Sequence, residues 1–176
     1  MDYIIKILIT GSSGLTGSEA IKFFTEKGWE VVGIDSNMRS YFFGTPLKPT
    51  LNNTDIRDEK GIDKIFSENK FDAIIHAAAQ PSHDWAKKEP LTDFDINARG
   101  TLILLKATQK HCPEAVFIYI STDKVYGENM KRKLIEIGTR WHSDVPYDET
   151  LSIDNTKRSL FGCSKTAADI YVQEYG

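Results

Sequence analysis

The chain has 176 residues, 40% of them hydrophobic and 27% charged, with a net charge of −3 at pH 7. That length suits one domain, which buries roughly 70% of the surface its unfolded chain exposes, and the apolar content argues against disorder. The small net charge gives no electrostatic basis for gripping nucleic acid or an anionic membrane, the apolar runs fall short of the roughly 18 residues of a spanning helix, and no secretory pattern follows Met1.

In chain order, Ile4 to Thr10 (IIKILIT) is β-branched and nearly continuous, as a strand covered on both faces should be. Leu15 to Gly28 reads as a helix with Ala20, Ile21, Phe23 and Phe24 on one face and Gly28 as its stop. Glu30 to Asp35 is a second strand; Thr50 to Ile56 (TLNNTDI) is a short strand candidate, followed by a helix over 58–68. Asp72 to His76 and Ala115 to Ser121 are later strands. Between them lies a helix over 93–111, with Phe94, Leu102, Leu105 and Ala107 apolar and Pro113 just beyond. A last helix runs over 164–175. Strands alternating with helices predict an α/β fold with a doubly wound, mostly parallel sheet, Rossmann-like in character. Two segments interrupt the rhythm: an aromatic loop over 36–48 and a long polar stretch over 127–152, both leaving carboxyl ends of strands. Cys112 and Cys163 are widely separated, which predicts reduced thiols in a cytoplasmic protein, and the four histidines have no metal-ligand spacing.

The strongest local signal is Gly11-Ser12-Ser13-Gly14-Leu15-Thr16-Gly17, placed after the first strand and opening the first helix. Glycines there let the main chain approach a diphosphate, and the helix mouth offers free N–H donors to it. A tight turn is the plain alternative; the strand–turn–helix context favours a dinucleotide site. Asp35 closes the second strand, where a carboxylate can accept from both adenosine ribose hydroxyls and repel a 2′-phosphate, favouring NAD over NADP. A solvated strand-end acid is the plain alternative, and nearby Arg39 could accommodate a 2′-phosphate.

GSSGLTG, Asp35, DIRD at 55–58, His76-Ala77-Ala78-Ala79, Asn97 in NARGT and STDKVYG at 121–127 occur in order. Together they resemble the extended short-chain dehydrogenase/reductase family of NAD-dependent nucleotide-sugar epimerases and dehydratases, over nearly the whole chain. Within it, SNMRSYFFG and AAAQPSHDW are most similar to the CDP-paratose 2-epimerase (CDP-tyvelose epimerase) group. The resemblance implies that Gly11, Gly14 and Gly17, with Ser13 and Leu15, hold the pyrophosphate. It puts Asp35, with Asn37 and Arg39 beside it, at the adenosine ribose. Ile56 and Asp58 would flank the adenine, with Asp58 accepting from its amino group. Ala77, Ala78 and Ala79 would line the cofactor, with Asn97 in the same set. Thr122 would be the catalytic Ser/Thr, and Lys165 the lysine on the nicotinamide ribose. It also implies a nucleotide-sugar substrate, and homodimers through the helices over 93–111 and 164–175. The chain stops at Gly176 with nothing after it to form a substrate-binding part, so residues 1–176 read as the NAD-binding Rossmann-like N-terminal part of a longer architecture.

One position breaks the pattern. The family's Tyr-x-x-x-Lys puts a phenol and an ammonium one helical turn apart, so that the phenol takes a substrate proton near neutral pH. Here the segment is Phe161-Gly162-Cys163-Ser164-Lys165, and no tyrosine has a lysine four places on. Tyr126, Tyr147, His83 or a water on Thr122 could relay the proton, the substrate could need less help, or the chemistry could be lost. The readings are therefore an epimerase acting through a keto-sugar, at C2 of a CDP-dideoxyhexose for the subgroup; a dehydratase or reductase on the same scaffold; or a non-catalytic NAD-binding module.

Overall fold

The computed structural model describes residues 3–38, 52–130, 134–143 and 148–176. Strand β1 (Lys6–Thr10) pairs in parallel with β2 (Glu30–Asp35) on one side and β4 (Ala73–His76) on the other. Two-residue β3 (Asn52–Asn53) extends the sheet beyond β2, and β5 (Val116–Tyr119) beyond β4. The resulting order, β3-β2-β1-β4-β5, is parallel throughout. Its direction of growth reverses between β1 and β4, the place where such sheets open a ligand crevice.

The continuous apolar run of β1 is explained by burial on both faces, since Ile7, Leu8 and Ile9 are all fully inaccessible. Leu8 joins Ile34 and Ile74 under α2 (Glu59–Glu68) and α5 (Gly100–His111), where Ile62, Phe66 and Leu104 complete the larger core. Ile7, Ile9 and Ile75 face α1 (Leu15–Glu26) through Ala20, Ile21 and Phe24. Phe23, expected on that same face, is instead half exposed, under the Lys27 ammonium. Gly28 does stop α1: at φ +79° its N–H reaches the Thr25 carbonyl, and the Trp29 N–H reaches that of Phe24. This paired closure needs a left-handed residue, which glycine supplies at little steric cost.

Short α3 (His83–Lys88) follows β4, a helix the sequence pattern did not reveal. The expected helix over 93–111 begins earlier, as α4 (Pro90–Phe94), and passes through a π-helical turn (Asp95–Arg99) into α5. After β5 comes a 3₁₀ segment (Asp123–Met130) broken at Gly127. The polar stretch read as a loop over 127–152 contains an antiparallel hairpin, β6 (Leu134–Ile137) and β7 (Arg140–Ser143), turning at Gly138 with φ +64°. Nearly every residue of this ribbon is exposed, so no buried face imposes the alternation that marks a strand in sequence. The chain closes on α6 (Leu160–Tyr175), capped by Ser159. No helix among the described residues is long and apolar enough to cross a membrane. Cys112 is buried and Cys163 exposed, both as free thiols.

Candidate cofactor and active site

A cavity of about 770 Å³ opens at the carboxyl ends of β1, β2 and β4. Gly11, Gly14, Leu15 and Gly17 form one wall; Asp35 and Ile56 lie on a second, and Ala77, Ala78 and Ala79 on a third. The structure thus brings nine of the expected cofactor residues onto one crevice.

The glycines are required by contact. A Cβ on Gly17 would stand 2.1 Å from the Gly11 carbonyl oxygen, and one on Gly11 would stand 2.6 Å from the Ala78 nitrogen. Gly11 also has φ +69°, a conformation that disfavours any other residue. Among the helix starts, α2, α3 and α6 are capped by the side chains of Asp58, Ser82 and Ser159. Helix α1 is not: its cap is Gly14, no side chain accepts from its first turn, and no acid lies there. Its open N–H donors and positive dipole end therefore face the cavity that a diphosphate would enter.

Asp35 is oriented by two backbone donors, the N–H of Ser13 at 3.0 Å and of Asn37 at 2.7 Å. Ser13 and Asn37 thus serve the site by holding its carboxylate and do not line the cavity themselves. Arg39 lies outside the described residues. Asp58 lies off the cavity lining and caps α2 by accepting the Gly61 N–H at 3.1 Å. The carboxylate beside Ile56 on the cavity wall belongs to Asp55, which Arg57 grips at 2.6 and 3.0 Å, holding it below the usual carboxylate range. Both acids sit in DIRD; the one that directly follows β3 faces the crevice, while the one preceding a helix answers orphan N–H groups.

Asn97 is buried behind the cavity wall, on the π turn. Its carboxamide accepts from the Gln80 N–H at 2.8 Å and donates to the Gln80 carbonyl, Asp93 Oδ1 and Ser164 Oγ at 3.0–3.1 Å. Gln80 lines the cavity, so Asn97 ties its wall to α6. Behind them runs a line of polar contacts. Ala78 N–H donates to Thr10 Oγ1, which lies 2.7 Å from His76 Nδ1; His76 Nε2 lies 2.9 Å from Thr101 Oγ1, which donates to the Asn97 carbonyl. With Thr101 already donating, the consistent tautomer is neutral His76 protonated at Nε2. Burial, helped by the Lys165 charge, pushes its pKa down to about 3.

The expected catalytic group lies beyond this wall. Lys165 is 3% exposed; its ammonium donates to the Ile120 carbonyl at 2.7 Å and stands 4.0 Å from the centre of the Tyr119 ring. Burial lowers its pKa to about 8, against an opposing pull from Asp169. Burial also raises the Tyr119 phenol, with Asp169 adding to the shift. Thr122, half-buried two residues after Ile120, donates to Asp123 at 3.2 Å. Phe161 is buried, its ring edge-to-face with His83, centroids 4.9 Å apart. Neither Thr122, Phe161 nor Lys165 lines the cavity directly. Tyr147 lies outside the described residues. Sequence reasoning missed Asp55, Gln80 and Trp85 on the lining; Asp55 and Gln80 lie in the segments that leave β3 and β4, a position that could have flagged them, whereas Trp85 lies on α3.

The lowered lysine has a testable sign. Between pH values of about 8 and 10.5, folded Lys165 binds fewer protons than the unfolded chain, so its destabilising effect is complete below that window and relieved within it. From about pH 7 to about pH 10 the protein should therefore gain stability relative to a Lys165→Met variant, by on the order of 2 kcal/mol in urea unfolding. A gap that stays constant across that range would show that the ammonium suffers no such desolvation.

Residues 7–176 match the model of the NAD dependent epimerase/dehydratase family. Among curated relatives, a CDP-paratose 2-epimerase of Salmonella typhi is 32% identical over 180 residues, covering 97% of this chain and 53% of that protein. A UDP-glucose 4-epimerase of Halalkalibacterium halodurans is 32% identical over 144 residues, 82% of this chain and 42% of that protein. Among solved structures, the Thermus thermophilus UDP-glucose 4-epimerase in complex with NAD superposes with a TM-score of 0.76 at 27% identity, covering 98% of this chain and 51% of that one. The chain thus spans about half the length of the relatives it matches. By its glycine-lined crevice and by this match over most of its length, the chain belongs to the NAD dependent epimerase/dehydratase family.

Proposed function

We propose that residues 1–176 act as the NAD-binding Rossmann-like part of a nucleotide-sugar epimerase. The observation that carries this reading is the uncapped amino terminus of α1 facing a cradle that Cβ atoms would fill. The diphosphate sits at that helix mouth, against Gly11, Gly14, Leu15 and Gly17. Asp35 accepts from the adenosine ribose, held in place by the N–H groups of Ser13 and Asn37. Ile56 and Asp55 border the adenine, Asp55 taking the part expected of Asp58. Ala77, Ala78 and Ala79 keep the third wall flat, and Asn97 fixes that wall from behind. When bound, NAD supplies an acceptor and donor of hydride at its nicotinamide ring. Lys165 is assigned the nicotinamide ribose, and Thr122 orients the reacting sugar hydroxyl.

The substrate is a nucleotide-sugar. The similarity to a CDP-paratose 2-epimerase supports a CDP-linked sugar with exchange at C2. The assembly in this reading is a cytoplasmic homodimer whose contact face uses exposed Phe94, Ile170 and Tyr171. One observation favours a second reading, an NAD-binding module without chemistry: the buried ring of Phe161 stands where a phenol is expected.

Calorimetry separates cofactor from chemistry. In Asp35→Ala, NAD affinity should fall by roughly 10-fold to 100-fold, the loss expected for hydrogen bonds to a charged group. NADP should lose less, because the carboxylate that repels a 2′-phosphate is gone. Equal losses for both cofactors would remove Asp35 from the ribose. Turnover is then tested with CDP-linked and UDP-linked hexoses on the full-length protein; conversion of neither, with NAD bound, favours the module.

A further inference from the structure

We propose that His83 carries the proton to and from the sugar hydroxyl, taking the part that Phe161 cannot perform. The proposal rests on the epimerase reading above and supplies the acid–base group it lacks. Phe161 occupies the family's tyrosine position, one turn before Lys165 on α6, and its ring offers no exchangeable proton. The ring that packs edge-to-face against it, centroids 4.9 Å apart and planes at 63°, is the imidazole of His83.

His83 opens α3, and its neighbours on both sides, Ser82 and Asp84, line the cofactor cavity. The imidazole is not itself on the cavity lining; it packs on the ring that replaces the phenol, while the residues on either side of it in sequence reach the cavity. It is half-buried, and no hydrogen bond within the described residues engages either ring nitrogen. Three other groups nearby, His76, Tyr119 and Thr122, are already engaged or unsuited. Both nitrogens of His76 are held by Thr10 and Thr101, and burial keeps that ring neutral. The half-buried Tyr119 ring lies beneath the Lys165 ammonium, and its phenol resists ionisation. Thr122 is an alcohol, too weak a base to hold a proton near neutrality. Imidazole is the side chain that most often serves as a general acid–base.

The step balances. As the sugar carbinol becomes a ketone, its C–H hydrogen leaves with the bonding pair to NAD, and its O–H proton passes to an imidazole nitrogen. Re-reduction returns the hydride to the opposite face of the ketone, with the imidazolium returning the proton to the new alkoxide, so the carbon is inverted and both NAD and imidazole are restored.

The test uses the full-length protein loaded with NAD and given CDP-linked and UDP-linked hexoses. His83→Gln should slow conversion by about 10²-fold or more, the usual loss for a general base. His83→Gln/Phe161→Tyr should recover most of that rate, because the phenol returns beside Lys165. A second readout needs no turnover: the imidazole ¹⁵N resonance that disappears in His83→Gln should shift when NAD is added to the parent protein. Three results would overturn the proposal. One is His83→Gln activity within about threefold of the parent. Another is NAD binding, seen by calorimetry, that leaves the His83 resonance in place. The third is NAD binding that shifts the resonance in a parent converting no sugar, which removes the reaction itself. Absence of NAD binding is a separate failure, because it overturns the cofactor reading and this proposal together.

Discussion

Gly17→Ala should abolish measurable NAD binding and destabilise the fold by about 1–3 kcal/mol, the cost of forcing an extra methyl into packed structure. The added Cβ would meet the Gly11 carbonyl oxygen at 2.1 Å and its carbon at 2.7 Å. Backbone, unlike a flexible side chain, has little room to yield, and here it has less than usual. Gly11 is itself pressed against Ala77 and Ala78, and its carbonyl accepts the Gly14 N–H at 2.9 Å. Relief must come from displacing the first loop or swinging α1 away, and either opens the diphosphate cradle. Two controls make the result interpretable. A Cβ on Gly14 would lie 3.1 Å from the same oxygen, so Gly14→Ala should weaken binding less. Gly28 has open space around it but φ +79°, so Gly28→Ala should cost about 1 kcal/mol of stability and leave NAD affinity unchanged. Calorimetry and urea unfolding on the three variants provide the comparison; NAD affinity retained in Gly17→Ala would remove the cradle from the cofactor site.

Asn97→Leu should lower stability by on the order of 3 kcal/mol, a fall in Tm of about 6–12 °C, although the side chains are similar in size. Asn97 makes four hydrogen bonds from a 1% exposed position, and leucine makes none of them. The cost falls on the partners left behind. Asp93 is equally buried and would keep only the Gln80 side chain at 2.8 Å, while the Gln80 backbone N–H and carbonyl would lose their acceptor and donor. An unpaired buried polar group costs more than the bond it once made. A fall of less than about 2 °C, measured by scanning calorimetry, would show that water or repacking satisfies these groups.

The strands and the glycine loop were legible in sequence because both obey local rules. Ile7, Leu8 and Ile9 are buried on two faces and read as an unbroken apolar run; Gly11, Gly14 and Gly17 touch backbone and must be small. Asp35 was legible for a related reason, since a strand end facing the first loop has a fixed place in this topology. The cap made by Asp58 was not legible, because a carboxylate before a helix has two possible uses, and choosing requires knowing where α2 begins. The β6–β7 ribbon escaped notice because its register is set by a turn at Gly138 and by pairing rather than by burial. The edge-to-face pairing of His83 and Phe161 joins residues 78 positions apart, and no spacing rule anticipates it.

The wide turn at Asp95–Arg99 divides one rod into two phases. Each added residue in such a rod rotates everything downstream by about 100°. Asp93, before the turn, and Asn97, within it, are thereby indexed to the segment after β4, while Thr101, Leu104 and Thr108 are indexed to the interior beneath the sheet. A single-residue deletion within 95–99 would bring the two halves back into one phase, so that only one set of partners could be met at a time.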